Sequence, residues 1–346
     1  NGYLSTVCCD IAKFINRGAD GMDLFESLKN KISGKNIKIV FPEGNDERIV
    51  KAAVRLANDG MIKPIILGSK ETVEDSNNGQ ALPESIEVID PDKYPSEEFE
   101  KMVAAFVERR KGKNTEEQAR KMLKDVNYFG TMMVYMGNAD GLVSGAIHPT
   151  GDTVRPALQI IKTKPGVSRT SGAFIMSRGD ERYYFADCAI NINPNAEELA
   201  EIAVQSAKSA RLFDIDPRVA LLSFSTMGSA KSDEVTKVQE ATKLAKEMAP
   251  DEQIDGELQF DAAFVKSVAE KKAKDSKVAG SANVFVFPEL QSGNIGYKIA
   301  QRLGNFEAVG PILQGLNAPV SDLSRGCSEE DVYKVALITA AQTLGD

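Results

Sequence analysis

The chain reads as an α/β protein of two domains, and three observations predict this. Short β-branched runs alternate with longer amphipathic stretches. Several of the runs give way to loops of small polar residues that open the next helical stretch. A length of 346 residues suits about two domains. The strand pattern picks out Ile37–Phe41, Pro64–Leu67, Gly141–Val143, Phe174–Met176, Tyr183–Phe185, Val219–Phe224 and Val284–Phe287. Helical spacing picks out Asp46–Asp59, Ser96–Lys111, Thr115–Lys124, Val154–Thr163, Ala196–Phe213, Asp233–Met248 and Asn294–Leu303, and a further helix is expected to open after Ser328.

Asn1–Gly21 reads as an expression leader. Its apolar patch, Val7–Cys9, is broken by Asp10 and Lys13 and is too short and charged for a secretory segment, and Met22 opens a natural-looking amino terminus. The expected address is the cytoplasm. No apolar run approaches the ~20 residues needed to cross a bilayer, so no membrane role is expected. The net charge of −8 argues against a nucleic-acid partner, because counterion release needs a basic face.

Two of the four cysteines fall in the leader, and Cys188 and Cys327 lack any C-x-x-C spacing, so neither a disulfide framework nor a metal site is expected. With His148 as the only histidine, chemistry has to rest on Asp, Glu, Ser, Arg, Lys or Cys.

Four segments carry residues suited to chemistry. Ser321–Asp331, S-D-L-S-R-G-C-S-E-E-D, combines a hydroxyl, a guanidinium, a thiol and a carboxylate beside a turn glycine. Arg325 offers a bidentate fork for phosphate oxygens, and a helix N-terminus favours anions. Ser328 followed by Asp331 is equally a capping box, in which the carboxylate secures the helix start. The loop Ser144–Pro156 places Asp152 or Thr153 as an N-cap, with Pro156 in the first helical turn and Arg155 near the helix start. Phe224–Asp233 is either a cradle in which backbone N–H groups and Lys231 hold a phosphate or an ordinary Ser/Gly-rich helix start; it lacks the P-loop spacing. Phe287–Lys298 reads as a capped turn. The cluster Arg109, Arg110, Lys111 and Lys113 is a local basic island or a solvated helix end.

Seven blocks, in order, carry a resemblance: F-P-E-G-N-D-E-R-I (Phe41–Ile49), A-D-G-L-V-S-G-A (Ala139–Ala146), D-T-V-R-P-A-L-Q-I-I-K-T (Asp152–Thr163), L-S-F-S-T-M-G-S-A-K-S (Leu222–Ser232), D-G-E-L-Q-F-D-A-A (Asp255–Ala263), A-N-V-F-V-F-P-E-L-Q-S-G-N-I-G-Y-K (Ala282–Lys298) and G-P-I-L-Q-G-L-N-A-P-V-S-D-L-S-R-G-C (Gly310–Cys327). From Met22 to Leu344 the chain resembles the phosphate acetyltransferases, or phosphotransacetylases. The resemblance implies reversible transfer of acetyl between acetyl phosphate and coenzyme A, giving acetyl-CoA and phosphate. It implies two α/β domains with an interdomain cleft, like isocitrate and isopropylmalate dehydrogenases, and a homodimer. Domain I would be residues 22–165 plus 313–346, and domain II residues 166–312.

On that resemblance the general base falls on Asp331, the catalytic serine and phosphate-binding arginine on Ser324 and Arg325, and the CoA-binding arginines on Arg110 and Arg155. Arg109 is the alternative to Arg110. Further substrate contacts are expected from Ser144, Thr150, Thr153, Ser225, Thr226, Gly228, Lys231 and Asn294. Coenzyme A would be a substrate; no permanently bound cofactor and no metal are expected, since acetyl phosphate is already activated. A thiol near pKa 8.5 and a carboxylate near 3.9 differ by about 4.6 units, or roughly 6 kcal/mol for a complete prior proton transfer. Proton removal concerted with attack is therefore expected.

Arg325 beside Cys327 would lower the thiol's pKa and suit an acyl-accepting nucleophile, against which a buried structural thiol is the preferred reading for Cys327 and Cys188. His148 is expected to be a loop hydrogen-bonder. A phosphate butyryltransferase, a non-catalytic acetyl-CoA sensor and a dehydrogenase of the related fold remain the competing readings. The retained Ser324, Arg325 and Asp331 argue against the sensor, and the missing G-x-G-x-x-G argues against the dehydrogenase.

Overall fold

A computed structural model describes residues 23–345; the leader lies outside them. The chain divides into two compact units, one formed by Phe25–Thr170 with the C-terminal segment from Gly310, the other by Ser171–Val309.

In the first unit the order is α1 (Leu24–Ile32), β1 (Lys38–Phe41), α2 (Glu47–Asn58), β2 (Lys63–Leu67), α3 (Lys70–Ser76), β3 (Glu87–Ile89), α4 (Ser96–Arg109), α5 (Glu116–Met122), α6 (Val126–Tyr135), β4 (Gly141–Ser144) and α7 (Thr150–Pro156). The second unit follows with β5 (Ser171–Arg178), β6 (Glu181–Ala186), α8 (Ala196–Leu212), β7 (Arg218–Leu222), α9 (Asp233–Met248), β8 (Gln253–Leu258), α10 (Phe260–Phe264), α11 (Lys266–Lys272), β9 (Val284–Val286), α12 (Leu290–Leu303) and β10 (Glu307–Gln314). The chain then returns with β11 (Val320–Asp322) and α13 (Glu329–Gln342).

The first unit's sheet has the order β11-β4-β1-β2-β3, and every pairing is parallel. β1 and β4 are buried on both faces except at Lys38, as expected where helices cover a parallel sheet. α2 is capped by Asp46, the first residue of its predicted span, whose side chain accepts from the Arg48 and Ile49 amides. Its Ile49, Val50, Ala53 and Leu56 are buried, as is most of α13 from Val332 to Ala341. The chain moves outward from β1 through β2 to β3, then returns to the other side of β1 with β4. That reversal is the position at which open α/β sheets bind ligands, beyond the carboxyl ends of their strands.

The second unit's sheet has the order β10-β5-β6-β9-β7-β8, with β5 and β6 antiparallel and the β6–β9, β9–β7 and β7–β8 pairs parallel. Its core is aromatic: Phe174, Phe185, Phe285 and Phe287 are buried together, and Phe185 meets Phe285 edge-on at 5.6 Å between ring centroids. Among the described residues no helix is long and apolar enough to cross a membrane.

Candidate active site

Two charged residues of the segment after β1 organise the first unit's carboxyl edge. Glu43 is fully buried. Its Oε2 accepts the amides of Gly145 (3.1 Å) and Ala146 (2.8 Å), and its Oε1 accepts those of Ile147 (3.0 Å) and His148 (3.1 Å). His148 Nδ1 lies 2.7 Å from the same Oε1, which makes this histidine the loop hydrogen-bonder expected of it. The loop after β4 is thus wrapped around a single carboxylate. Gly145 makes the wrapping possible: it sits at φ +115°, and a Cβ there would lie 2.5 Å from Asp322 Oδ1 and 2.7 Å from Leu323 N.

Arg48 ties three segments together. Its Nη1 donates to the carbonyls of Arg325 (2.8 Å) and Cys327 (2.9 Å), and its Nη2 to Ala146 O (2.9 Å) and Asp46 Oδ2 (2.8 Å). The Ser324–Cys327 turn closes with the Cys327 amide on Ser324 O at 2.9 Å, and Gly326 N–H donates to Ser324 Oγ at 3.2 Å. The turn's carbonyls are therefore held from behind, while the side chains of Ser324 and Arg325 face solvent.

Asp331 sits one turn further on, at the start of α13. Its Oδ2 accepts from Ser328 N and from Ser328 Oγ, both at 2.8 Å, while Ser328 Oγ accepts the Asp331 amide at 3.2 Å. The capping box is formed. It engages Oδ2 of a residue that is itself exposed.

Cys188 and Cys327 are both buried, and burial pushes both thiols up. The cation that opposes this at Cys327 is Arg48 rather than Arg325, and burial outweighs it, which removes the basis for an acyl-accepting thiolate at neutral pH.

The basic island resolves into two roles. Arg109 is engaged with its own fold: Nε donates to Ile160 O (2.6 Å), Nη2 to Ile161 O (2.9 Å), and the guanidinium lies over Tyr135 at 4.9 Å. Among the described residues Arg110 bonds only through Nε, to Asn114 Oδ1 at 3.1 Å, and its terminal nitrogens have no partner there. Arg110 and Arg155 both act on the Tyr128 phenol, which burial pushes up and their charges pull back. Lys162 is held below its usual range by burial and by Arg109, Lys111, Arg110 and Lys113, the signature of crowded positive charge.

α7 departs from expectation. It starts at Thr150 after Pro149, with no side-chain cap, so neither Asp152 nor Thr153 is the N-cap and Pro156 falls at its end rather than in its first turn. Lacking an N–H, Pro156 cannot continue the ladder, and the next turn, Ala157–Ile161, widens into a π-helix that ends at Lys162 with φ 63°. Thr150 and Arg155 are exposed, whereas Thr153 is buried. Ser144 is also buried, and its hydroxyl donates to Asn127 Oδ1 at 2.7 Å.

In the second unit, the Phe224–Asp233 loop is organised by another buried carboxylate. Glu257 Oε1 accepts from Ser225 Oγ (2.9 Å) and from the Gly228 amide (2.6 Å). The Thr226 amide donates to Ser229 Oγ, Ala230 to Ser225 Oγ, Met227 to Glu257 O and Ser229 to Thr226 O. These amides are engaged within the protein, so of the two readings of this loop the backbone phosphate cradle is not formed, and Lys231, exposed, is the loop's outward cation. Thr226 Oγ1 is paired with Gln259. The third loop is the capped turn expected: Glu289 accepts the Gln291 and Ser292 amides at 2.7 and 2.8 Å. α12 therefore starts at Leu290, before the predicted Asn294, whose side chain donates to Cys188 O at 3.1 Å.

Glu43, Arg48, Asp322 and Glu257 were not singled out as site residues in the sequence. For Glu43 the available signal was an acid set between proline and glycine directly after a short apolar strand, as in F-P-E-G. A cavity of about 540 Å³ is lined by Lys38, Glu87, Asp90, Tyr94 and Asn138 among others and by none of the site residues above.

Known proteins align with this arrangement over nearly its whole length. The family described as Phosphate acetyl/butaryl transferase matches residues 23–340. The phosphate acetyltransferase of Bacillus subtilis is 65% identical over 323 residues, covering 93% of this chain and 99% of that protein. A phosphotransacetylase from Streptococcus pyogenes superposes with a TM-score of 0.91 at 64% identity, covering 93% of this chain and 98% of the other. The EutD phosphotransacetylase from Staphylococcus aureus does so with a TM-score of 0.88 at 63% identity, with the same coverage. With the family match spanning almost every described residue, the chain belongs to the phosphate acetyl/butaryl transferases and is an acyltransferase.

Proposed function

We propose that the chain catalyses reversible acetyl transfer between acetyl phosphate and coenzyme A, giving acetyl-CoA and phosphate, by direct attack of the CoA thiol in a ternary complex. The observation that carries this is the Ser324–Cys327 turn, whose backbone Arg48 holds while the side chains of Ser324, Arg325 and Asp331 are all left exposed. Asp331 takes the thiol proton as sulfur attacks the acetyl carbonyl. Ser324 donates to the tetrahedral oxyanion, a contact worth about 3 kcal/mol from a preorganised donor. Arg325 neutralises the phosphate as the C–O bond breaks. Coenzyme A enters as a substrate, its phosphates held by Arg110 and Arg155, with Lys162 adding to the field. Thr150, Lys231 and Asn294 are side-chain candidates for further contacts, while Ser144, Thr153 and Ser225 act through the shape they give their loops.

The test is CoA-dependent thioester formation from acetyl phosphate, with butyryl phosphate alongside to set the acyl limit. Arg110→Ala is expected to raise KM for CoA about tenfold with little change in melting temperature, the loss of one charge-assisted contact. Arg109→Ala, which orphans two carbonyls, should instead lower stability by ~2 kcal/mol. The reverse pattern would move the CoA contact to Arg109. Absence of turnover in a protein that binds acetyl-CoA would point to a sensor.

A homodimer belongs to the same proposal. Ile295, Ile299 and Leu303 of α12 form an i, i+4, i+8 stripe that is 55%, 52% and 82% exposed, an apolar face suited to its own copy across a two-fold axis. Sedimentation should give a dimer that Ile299→Glu dissociates; a wild-type monomer at micromolar concentration would refute it.

A further inference from the structure

One buried acid plays no part in the mechanism above. Asp322 closes β11, in register with Ser144 on β4 and two residues before Ser324. It is 3% exposed. Among the described residues its Oδ1 has no hydrogen-bond partner, and neither has Oγ1 of Thr153, itself 1% exposed. The Thr150 and Thr153 hydroxyls nonetheless act on this carboxyl, favouring its ionised form against its burial. The absent Cβ of Gly145 leaves the room this carboxyl occupies. Both threonines belong to α7, which packs on β11, starts without a side-chain cap and carries Arg155. A short helix lacking a cap is held by whatever else grips its first turn.

We propose that Asp322 is a positioning residue that grips Thr150 and Thr153 and so fixes the helix bearing Arg155 relative to the Ser324–Arg325 turn. The inference rests on the acyl-transfer reading for its link to coenzyme A. An ionised carboxylate is acceptor-only, so both hydroxyls can turn onto it; the protonated acid offers a donor of its own and loses part of that capacity. Burial pushes the Asp322 carboxyl up to about 6, and the Glu43 charge adds to the shift. Among charged groups on the elements packed against Asp322, Glu43 is the one that acts on it, and Glu43 itself is engaged by the 145–148 amides and His148. The grip is therefore present above about pH 6 and released below it.

The sign for stability is opposite. A carboxyl raised in the folded state above its ordinary 3.8 favours folding least where it must ionise, so wild type loses this contribution as pH rises from about 4 through about 6. Asp322→Asn, isosteric and uncharged, should melt above wild type near pH 8 and close to it near pH 4.5. It should do so while binding coenzyme A worse, which a merely structural acid would not produce.

The experiment measures KM for CoA from about pH 5.5 to 8 in wild type, Asp322→Asn and Thr153→Val, with dephospho-CoA as a second substrate because a phosphate monoester also titrates near 6. Wild type is expected to show KM rising about tenfold toward low pH with dephospho-CoA, a coupling of ordinary size, whereas both variants start high and stay flat. Amide hydrogen exchange of residues 150–156 without substrate gives the independent readout, with faster exchange in both variants near pH 8 and unchanged exchange in residues 196–212. Wild-type-like KM profiles together with wild-type exchange would overturn the tether. Failure of wild type to turn over acetyl phosphate would refute the acyl-transfer reading alone, and exchange would still decide the role of Asp322.

Discussion

Asp331→Asn is expected to lower kcat by about 10²–10⁴, the range for loss of a positioned general base, while melting within a few degrees of wild type. The two halves of this expectation come from the same carboxylate. As a cap, Asp331 uses Oδ2 to accept from Ser328 N and Oγ. An amide oxygen can take over that acceptance, so the capping loss stays near ~1 kcal/mol. As a base, it needs an oxygen that can carry a proton, and the amide has none. Ser328→Ala gives the converse: it removes the hydroxyl that accepts the Asp331 amide and costs about 1 kcal/mol of stability, but leaves the carboxylate in place and kcat within a fewfold of wild type. Stopped-flow or steady-state thioester formation at saturating CoA, beside thermal melts of both variants, separates the roles. If Asp331→Asn keeps kcat within tenfold, the residue is a cap and the base lies elsewhere.

The capping box in Ser321–Asp331 was legible because it is a local pattern, and the structure forms it while leaving the side chains of Ser324, Arg325 and Asp331 exposed. Elements with a one-sided apolar face were equally legible, and α2 and α9 match their predicted spans to within a residue at each end. Among those that escaped, α6, β8 and β10 lack such a face or pattern. α6 buries Phe129, Gly130, Thr131, Met132, Met133 and Val134 in succession, so no amphipathic stripe marks it. β8 reads Q-I-D-G-E-L, polar because its end carries the loop-organising Glu257, and β10 contains Pro311, tolerated on the sheet's edge. The residues that hold the site escaped for a different reason. Glu43 and the four amides it binds are about a hundred positions apart, and Arg48 reaches carbonyls nearly three hundred positions away. Such partners are created by the parallel sheet, which sets the ends of β1, β4 and β11 side by side, and no local period records them.

The second large effect is expected at Glu43. Glu43→Gln should lower stability by about 3–5 kcal/mol, the range for breaking a buried charged hydrogen-bonded group, and the melting temperature by roughly 10 °C. The glutamine side chain has the same shape, so packing is not the cause. One of its two terminal atoms becomes an NH₂ donor, and either orientation points that donor at two backbone amides. If the nitrogen replaces Oε2 it meets Gly145 and Ala146; if it replaces Oε1 it meets Ile147, His148 and the His148 ring. Each buried amide left without an acceptor costs ~1–3 kcal/mol, and no water-filled space replaces the lost oxygen at a fully buried site. The 145–149 segment can recover its hydrogen bonds only by unwrapping toward solvent. That segment leads directly into α7, so KM for CoA should rise along with the loss of stability, while Arg48 continues to hold the Ser324–Cys327 turn and kcat falls less. Chemical denaturation followed by circular dichroism, with KM and kcat measured well below the melting range, checks both parts. A variant that unfolds within about 1 kcal/mol of wild type would show that the loop's amides find other acceptors and that Glu43 does not shape the edge on which the arginines and the Ser324 turn depend.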